Sequence, residues 1–493
     1  MNIRDNMSEV PPFNKKMSIF ALLLASTCIN LAFGILLPFL PFYVKDIANE
    51  LNFLGIVLDI GFQVGILTSA FMISRCILAP TYGKLSDTKG RKPIILIGMA
   101  MYGFLCLGFA FATDVLTLFI VRLGQGVASA AVWPVAESLI ADLSDEKDFG
   151  KHMGWYMLSM QLGFALGPFI GAASNIFFLG TGIAATEIIS FRLIFFSVAS
   201  LSFLSVPFIL YYVIDPKIAG RIRLKDVKET IGVMLRASIH APIIFVQTIG
   251  KAFRTASDPD EAVPRGIFGM ALANGFGFAL IWPIMTLFYI DYYISDTNLI
   301  LTLIGIVSIA ALMFNPIGGY LADRTGRKVV VVGTGFLGVI ATVILGVQVT
   351  LFMLFGLLLI RQAIWAINMP AFRALQAEIV PEKVRGEIFG VVQALFNVGG
   401  VFGPIVGGLL YDAFPGQFTV NLLGLNITFF GTIVLFSITA ALSLFATCLI
   451  LFFVHPKKKE KEVSLEEDFE SFESTIPVKQ DTLQSKEARN PMD

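Results

Sequence analysis

A polar ten-residue segment occurs twice in this chain, each time between two long apolar runs. It reads GKLSDTKGRK at residues 83–92 and GYLADRTGRK at residues 319–328, so the two copies lie 236 residues apart. Pro134 and Pro370 keep the same separation. Self-similarity at a fixed spacing indicates an architecture built from repeats. The sequence therefore predicts two halves of similar build joined in one chain.

Twelve apolar runs account for most of the remaining chain. Charged residues make up only 15% of the sequence, whereas a soluble globular protein carries roughly 25%. Each run is long enough to cross the roughly 30 Å hydrocarbon core of a bilayer as a helix. The predicted membrane spans lie at residues 17–43, 60–82, 93–113, 115–140, 153–174, 190–213, 268–292, 298–319, 329–349, 351–374, 387–411 and 428–454.

Lysine and arginine gather on one side of the predicted membrane. They occupy the N-terminus, both ten-residue loops, the connector and residues 455–461, whereas the loops on the other side hold mainly acids. The positive-inside rule then places both termini in the cytoplasm. We predict a multi-pass protein of the cell membrane, with a cytoplasmic N-terminus at 1–16, a six-helix bundle at 17–213, a cytoplasmic connector at 214–266, a second six-helix bundle at 267–455 and a disordered cytoplasmic tail at 456–493.

The connector contains an apolar patch at residues 241–250, flanked by Arg236, His240 and Lys251. About ten residues are too few to span a bilayer. We therefore predict an amphipathic helix that lies on the cytoplasmic face. The tail is acidic, rich in serine and poor in apolar residues, a composition typical of disorder.

The repeated loop predicts more than an orientation signal. A basic loop alone would hold the segment inside the cell, but here glycine, aspartate and arginine also recur at matching positions. Glu137 and Arg373 are equivalent positions, and they either pair when the inside closes or snorkel separately to the lipid surface. We interpret the whole set as a cytoplasmic gate, formed by Gly83, Asp87, Gly90, Arg91, Glu137 and Asp142 in the first half and Gly319, Asp323, Gly326, Arg327, Arg373 and Glu378 in the second.

Glycines recur at four-residue spacing in the fifth and eleventh spans. Such spacing puts small residues on one helical face, where a neighbouring helix can approach closely, and a proline in each span provides a bend point. The pattern indicates tight packing, and it also suits helices that slide between two states. The residues are Gly163, Gly167, Pro168, Gly171, Gly399, Gly403, Pro404 and Gly407.

Polar side chains inside the predicted spans mark a candidate transport cavity. An arginine at the centre of a membrane helix costs about 2.5–3.5 kcal/mol on insertion scales, which favours a partner or a water-filled cavity. For Arg75 and Arg361 a structural bond to backbone carbonyls is an equal alternative. The predicted cavity residues are Asn30, Arg75, Arg122, Gln125, Gln161, Asn274, Trp282, Arg361, Trp365, Asn368, Gln393 and Asn397.

These motifs resemble those of the major facilitator superfamily across about residues 17–455. The repeated loop matches the signature loop of that family, and RLGQG at 122–126 matches its span-four motif. The glycine pattern at 163–171 and PFLPFY at 38–43 look like the drug:proton antiporter branch.

The resemblance implies an all-α membrane protein with twelve transmembrane helices in two pseudo-symmetric six-helix bundles. The central cavity would be lined by spans one, four, seven and ten. It also implies alternating access by rocking, a cytoplasmic latch made by the loop aspartate and arginine, and a part for Arg122 in proton movement. One departure is that residues 17–43 contain no acid, whereas many proton-coupled exporters of this branch carry one there.

Three functions are compatible with this sequence. A proton-coupled, multidrug-type exporter is favoured by the span-five pattern and by the 46 phenylalanines. A transporter of an organic anion or another specific metabolite is favoured by the arginines inside the spans. A membrane receptor without transport is a remote alternative, because neither connector nor tail is large enough for a signalling domain.

The sequence contains no recognisable nucleotide-binding loop or metal-ligand cluster. The four cysteines lie in apolar runs without the spacing of metal ligands. We predict no enzymatic activity, no catalytic residue, no metal and no cofactor. The predicted partners are a small-molecule substrate, protons and the lipid bilayer, with no nucleic acid, and the predicted state is a monomer.

Overall fold

The computed structural model describes residues 12–47, 52–53, 56–57, 59–145, 148–216, 224–255, 266–380, 385–422 and 425–454. The predicted tail at 456–493, the basic cluster at 455–461 and residues 1–11 of the predicted N-terminal segment lie outside the described residues. We call the membrane side that carries the ten-residue loops the basic face, and the other side the opposite face.

Six long helices form the first half. Each extends beyond at least one end of its predicted apolar run, because polar residues continue the hydrogen-bonded helix past the hydrocarbon layer. They are α1 (Pro12–Ile47), α2 (Ile60–Lys89), α3 (Arg91–Phe111), α4 (Val115–Leu143), α5 (Phe149–Gly180) and α6 (Glu187–Tyr212). A short antiparallel hairpin of β1 (Asn52–Phe53) and β2 (Ile56–Val57) follows α1.

The connector folds into a single amphipathic helix, α7 (Leu224–Thr255). The predicted patch at residues 241–250 is only part of it. With 32 residues, α7 is long and apolar enough to cross a membrane by length and composition. The argument that the apolar segment is only about ten residues long, and so too short to span, is therefore wrong, whereas the amphipathic character of the helix is confirmed.

The second half repeats the first with one interruption and one addition. Its helices are α8 (Gly266–Ile281), α9 (Met285–Tyr292), α10 (Thr297–Thr325), α11 (Arg327–Ile344), α12 (Leu351–Ile379), α13 (Arg385–Ala413) and α14 (Ile433–Phe453). Asp114 and Thr350, 236 residues apart, cap α4 and α12 by accepting the N–H of Thr117 (2.8 Å) and Met353 (3.3 Å). The duplication therefore extends to the helix caps.

Span seven and the last span differ from their predictions. Span seven breaks between α8 and α9, where Pro283 cannot continue the helical hydrogen bonds. Residues 417–422 and 425–430 form a second hairpin, β3 (Gln417–Leu422) with β4 (Leu425–Phe430). The predicted start of the last span at residue 428 is therefore wrong, since α14 begins at Ile433. The alternation in FTVNL was the missed strand signal.

Three side-chain bonds tie α7 to the last eight residues of α2, although the partners on α7 are spread over 20 residues. The helix also packs on α3 and α13, so it touches both halves. The bonds join Tyr82 to Ser238 (2.9 Å), Lys84 to Thr248 (3.4 Å) and Lys89 to Glu229 (2.7 Å).

Buried apolar side chains join the two halves at the opposite face. In the described chain, one cluster there combines both halves and includes Phe39 and Phe288. Towards the basic face the halves have separate clusters, one around Leu139 and one around Phe268. Since burial of apolar surface contributes about 25 cal/mol per Å², the halves are held together by a shared core at one end. Towards the basic face their cores are separate, and α7 contacts both halves.

The predicted glycine faces pack helices within each half. A Cβ added to Gly167 would lie 2.6 Å from the backbone nitrogen of Ile35 on α1, and one added to Gly403 would lie 2.8 Å from the backbone oxygen of Phe276 on α8. The other members of each set, at 163, 171, 399 and 407, meet the same two neighbours. The faces thus hold α5 on α1 and α13 on α8, rather than forming the moving contact between halves.

Replacing Gly167 with alanine is expected to destabilise the first half. The added methyl group has no room against the backbone of α1, and overpacking costs about 1–3 kcal/mol. Gly154→Ala on the same helix is the matched control, because nothing lies within 4 Å of its added Cβ. Thermal unfolding of the purified protein should show a lower Tm for Gly167→Ala and an equal or higher Tm for Gly154→Ala. Equal losses in both would contradict the packing argument.

Candidate functional site

A cavity of about 560 Å³ lies between the two halves. Its volume is within the roughly 300–1,000 Å³ of small-molecule sites. Spans one, four, seven and ten contribute to the wall, together with six further helices. Ten of the twelve predicted cavity residues line it, namely Asn30, Arg75, Gln161, Asn274, Trp282, Arg361, Trp365, Asn368, Gln393 and Asn397.

Arg122 and Gln125 do not line this cavity, which corrects their predicted position. Both have no exposed surface, and Arg122 donates to the Gln125 side chain over 3.4 Å. The guanidinium lies between the rings of Phe71 and Phe109, 5.6 and 5.9 Å from their centres. The residues pack inside the first half, where neighbouring helices cover them.

Aromatic rings cover much of the cavity wall, and sequence reasoning missed six of them, namely Phe33, Trp133, Phe164, Phe278, Phe372 and Phe396. Phe278 packs on Trp282 (5.2 Å between ring centres) and on Trp365 (6.3 Å). Phe164 reaches Trp282 from the first half at 5.6 Å. Trp133 lies under the Arg75 guanidinium, which is 4.2 Å from the ring centre. The spacing of Phe278 and Trp282 on one helical face could have signalled this surface.

Polar side chains of the wall are mostly bonded within their own half. Asn30 donates to the Ser26 carbonyl (2.8 Å), and Asn368 donates to the Thr334 hydroxyl (2.7 Å). Gln393 donates to Asn397 over 3.3 Å. An exception is Gln161, which accepts from Asn315 across the halves at 2.7 Å. These bonds fix the amides and leave the arginines as the chemically distinctive groups.

A smaller chamber of about 140 Å³ adjoins the main cavity. It lies between α1 and α5 of the first half and α8–α9, α10 and α12 of the second, and is walled by aromatic and aliphatic side chains that include Tyr289 and Phe355. Arg361 and Gln362 line both spaces. Arg361 therefore stands where the two chambers meet.

The ten-residue loops make the same turn in both halves. Gly90 has φ 89° and Gly326 has φ 97°, values in the left-handed region that favours glycine. The next helix therefore starts directly after the turn. By contrast, an added Cβ at Gly83 or Gly319 would meet nothing within 4 Å, so the predicted close approach of a neighbouring helix there is absent from this conformation.

Each loop arginine binds the acid predicted to share its layer. Arg91 pairs with Asp142 and also lies 3.3 Å from Asp87. Arg327 pairs with Glu378 at 3.2 Å. Both ion pairs lie inside one half, so the loops here brace the bundles rather than latch one to the other. Asp87 contacts Arg91, but among the described residues the equivalent Asp323 forms no such ion pair with Arg327.

Contacts between the halves concentrate at the opposite face. The Asp412 carboxylate at the end of α13 accepts the N–H groups of Gly61 (3.0 Å) and Phe62 (2.7 Å), which begin α2. Lys45 pairs with Asp291 at 3.5 Å. A charged acceptor on a helix N-terminus is favourable both as a cap and through the helix dipole. The sequence showed Asp412 only as one of several acids in the outer loops.

The other end of the cavity is open. Glu137 and Arg373 are both exposed there, and no ion pair within 4 Å joins them in the described structure. Arg373 instead donates to Gln393 at 3.2 Å. The cavity is thus closed towards the opposite face and accessible from the basic face.

Comparison with known proteins gives a consistent picture. The chain matches the family model described as Major Facilitator Superfamily over residues 22–254 and 267–489. It is 25% identical over 437 residues to "Multidrug resistance protein 2" of Bacillus subtilis, covering 84% of this chain and 95% of that protein. It is 28% identical over 387 residues to "Multidrug resistance protein MdtG" of Proteus mirabilis, covering 77% of this chain and 85% of that protein.

Solved structures share the fold. A bacterial homologue of the human lysosomal transporter Spinster, in an inward-facing and unoccupied conformation, aligns with a TM-score of 0.65. The sequences are 16% identical, and the alignment covers 90% of this chain and 96% of that one.

Removing the Asp412 carboxylate is expected to favour opening at the opposite face. Asp412→Ala deletes a cap between the halves, worth about 0.5–2 kcal/mol, so the population open at that face should rise several-fold. A cysteine placed at Met285, which lines both chambers, would be labelled by a membrane-impermeant maleimide in a background without the four native cysteines. Asp114→Ala is the control, because that carboxylate caps a helix inside one half. Unchanged labelling in Asp412→Ala would refute a gating role.

Proposed function

The chain belongs to the major facilitator superfamily, and on that premise we propose that it is a secondary active transporter that exports amphipathic, drug-like molecules in exchange for protons. The observation that carries this proposal is a cavity lined by both halves, closed at one face and open at the other. Rocking the halves about the cavity would expose it alternately to the two sides. The names of the multidrug resistance relatives support the drug-like substrate and the export direction.

The basic face is proposed to be cytoplasmic, with both termini on that side. The support is the excess of lysine and arginine in the short loops there. In this orientation the structure is inward-open, the state in which an exporter takes up its substrate.

The connector helix is proposed to lie at the cytoplasmic membrane surface rather than to cross the bilayer. Its three described side-chain bonds to α2 reach the basic-face end of that helix. Exposed apolar side chains form one face of α7, and exposed basic side chains flank it, as expected of an interfacial helix. The apolar face consists of Ile231, Leu235, Ile239, Ile243 and Val246.

The loop ion pairs are proposed to keep each bundle rigid while the halves rock. Arg91 and Arg327 each join the start of one span to the end of another, so neither bundle can splay at the basic face. Asp87 and Asp323 lie exposed at the same level. They are placed to meet the other half when the cytoplasmic side closes.

Proton coupling is tested in proteoliposomes that contain the purified protein and a trapped pH dye. Ethidium is added as an amphipathic cation and 4′-nitrobiphenyl-4-carboxylate as an amphipathic anion. We expect at least one of them to drive a proton flux that is absent from protein-free vesicles. Transport of labelled compound without any proton movement would contradict the coupling, and no transport of either would contradict the export function.

Glu137 and Arg373 are proposed to pair when the cytoplasmic side closes and loses water. They occupy equivalent positions of opposite charge on α4 and α12, and each charge would be costly alone in a dry site. Glu137→Arg should leave two cations facing each other and lower transport at least tenfold, whereas Glu137→Arg with Arg373→Glu should restore most of it. The measurement is the initial transport rate of each variant, compared at equal abundance of the proteins in the membrane. A double variant as inactive as the worse single variant would exclude the pair.

A further inference from the structure

The described residues that line the cavity include two arginines and no acidic residue. We propose that its substrates are aromatic anions, whose acidic group is bound between Arg75 of the first half and Arg361 of the second. This inference rests on the proposed function only in taking the cavity as the substrate site. It narrows the drug-like class to organic acids, and it contrasts with a pump for lipophilic cations.

The charge balance of the wall is the first argument. Among the described residues that line the two chambers, Arg75 and Arg361 are the charged side chains, and no aspartate, glutamate or lysine accompanies them. Neither arginine has an ion pair within 4 Å in the described structure. The loop arginines Arg91 and Arg327 both bind carboxylates, and the fully buried Arg122 packs inside the first half, outside the cavity. An unpaired cation becomes costly when closure of the basic face removes water from the cavity, so the missing charge is assigned to the substrate.

The second argument is that the guanidinium groups have free donors. Arg75 makes no side-chain hydrogen bond within the described chain, and its plane rests on Trp133 at 4.2 Å. Stacking holds a guanidinium by its face and leaves its edge donors available. Arg361 donates through Nε to Thr342 at 3.4 Å, which leaves its two terminal nitrogens. A guanidinium edge matches a carboxylate or sulfonate with two parallel hydrogen bonds.

The third argument is the aromatic surface beside the two charges. Phe278 bridges Trp282 and Trp365, and Phe164 extends the same surface from the first half. A planar ring system can stack there while its acidic substituent reaches an arginine. The wall therefore selects two properties at once, an aromatic body and a negative charge. A lipophilic cation would satisfy the first and would be repelled by the second.

The placement of one arginine on each half links binding to movement. Closing the basic face would shut both cations into a space that loses water, and their repulsion would oppose that step. A bound anion removes the repulsion by interacting with both walls. The loaded protein can then close, whereas the empty protein is held open.

Equilibrium binding to the full-length protein tests the substrate class. Three of the four tryptophans, Trp133, Trp282 and Trp365, line the cavity, and the fourth, Trp155, lies outside it and is 52% exposed. In a Trp155→Phe background, quenching of tryptophan fluorescence reports cavity occupancy. The probes are 4′-nitrobiphenyl-4-carboxylate, its neutral carboxamide and the matching methylammonium compound, which differ mainly in charge.

We expect the carboxylate to bind at least tenfold more tightly than the carboxamide, and the ammonium compound to bind most weakly. Each substitution removes charge-assisted hydrogen bonds to the carboxylate. Arg75→Gln and Arg361→Gln should therefore each weaken carboxylate binding by about tenfold or more. Carboxamide binding should change less than about threefold, which also shows that the variants are folded. Arg75→Lys should retain part of the preference. Arg254→Gln, an exposed residue of α7, should change nothing.

Several results would overturn the inference. They are equal or tighter binding of the ammonium compound, equal weakening of all three probes in the arginine variants, and no quenching by any probe. The assay uses no gradient, so its outcome is separate from that of the transport experiment. A carboxylate preference without proton-coupled transport would refute the proposed function and leave the anion site standing.

Discussion

An apolar cluster joins the two halves at the opposite face and determines where the cavity between them can open. It merges side chains of both bundles at that end, while each bundle keeps a separate core towards the basic face. The hydrophobic contribution to stability scales with the apolar area that is buried. The halves therefore share one core at the opposite face and have separate cores towards the basic face. The cavity is the space that this arrangement leaves open.

Close backbone packing allows the two halves to rock about their contact at the opposite face. Glycines pack α5 against α1 and α13 against α8, so these helices are held tightly together within each bundle. Between the halves, Gly65 approaches Pro404 and Gly408 approaches Gly61, again without intervening side chains. Contacts of this kind have few directional bonds, and they can separate without leaving many polar groups unpaired. The Asp412 cap adds a directional element to the same surface.

Arginines at two depths of the membrane have different surroundings. At the basic face, loop arginines are neutralised by carboxylates of the same bundle, and the pairs stabilise the ends of helices. In the middle of the molecule, Arg75 and Arg361 stand without such partners beside aromatic rings. The first arrangement is structural, because each charge is balanced inside the protein. In the second arrangement, the positive charges of the two arginines would be neutralised by a bound anionic ligand.

The duplication, the long apolar helices and ten residues of the cavity wall could be predicted from the sequence alone. These follow from local physics, since apolar length fixes a span and a buried polar side chain signals a cavity. Only the tertiary structure decided that α7 is a 32-residue helix and that Arg122 is sealed inside one half. It also decided that the loop arginines brace bundles rather than bridge them. Each of these depends on which helices become neighbours, and residue spacing along one chain does not contain that information.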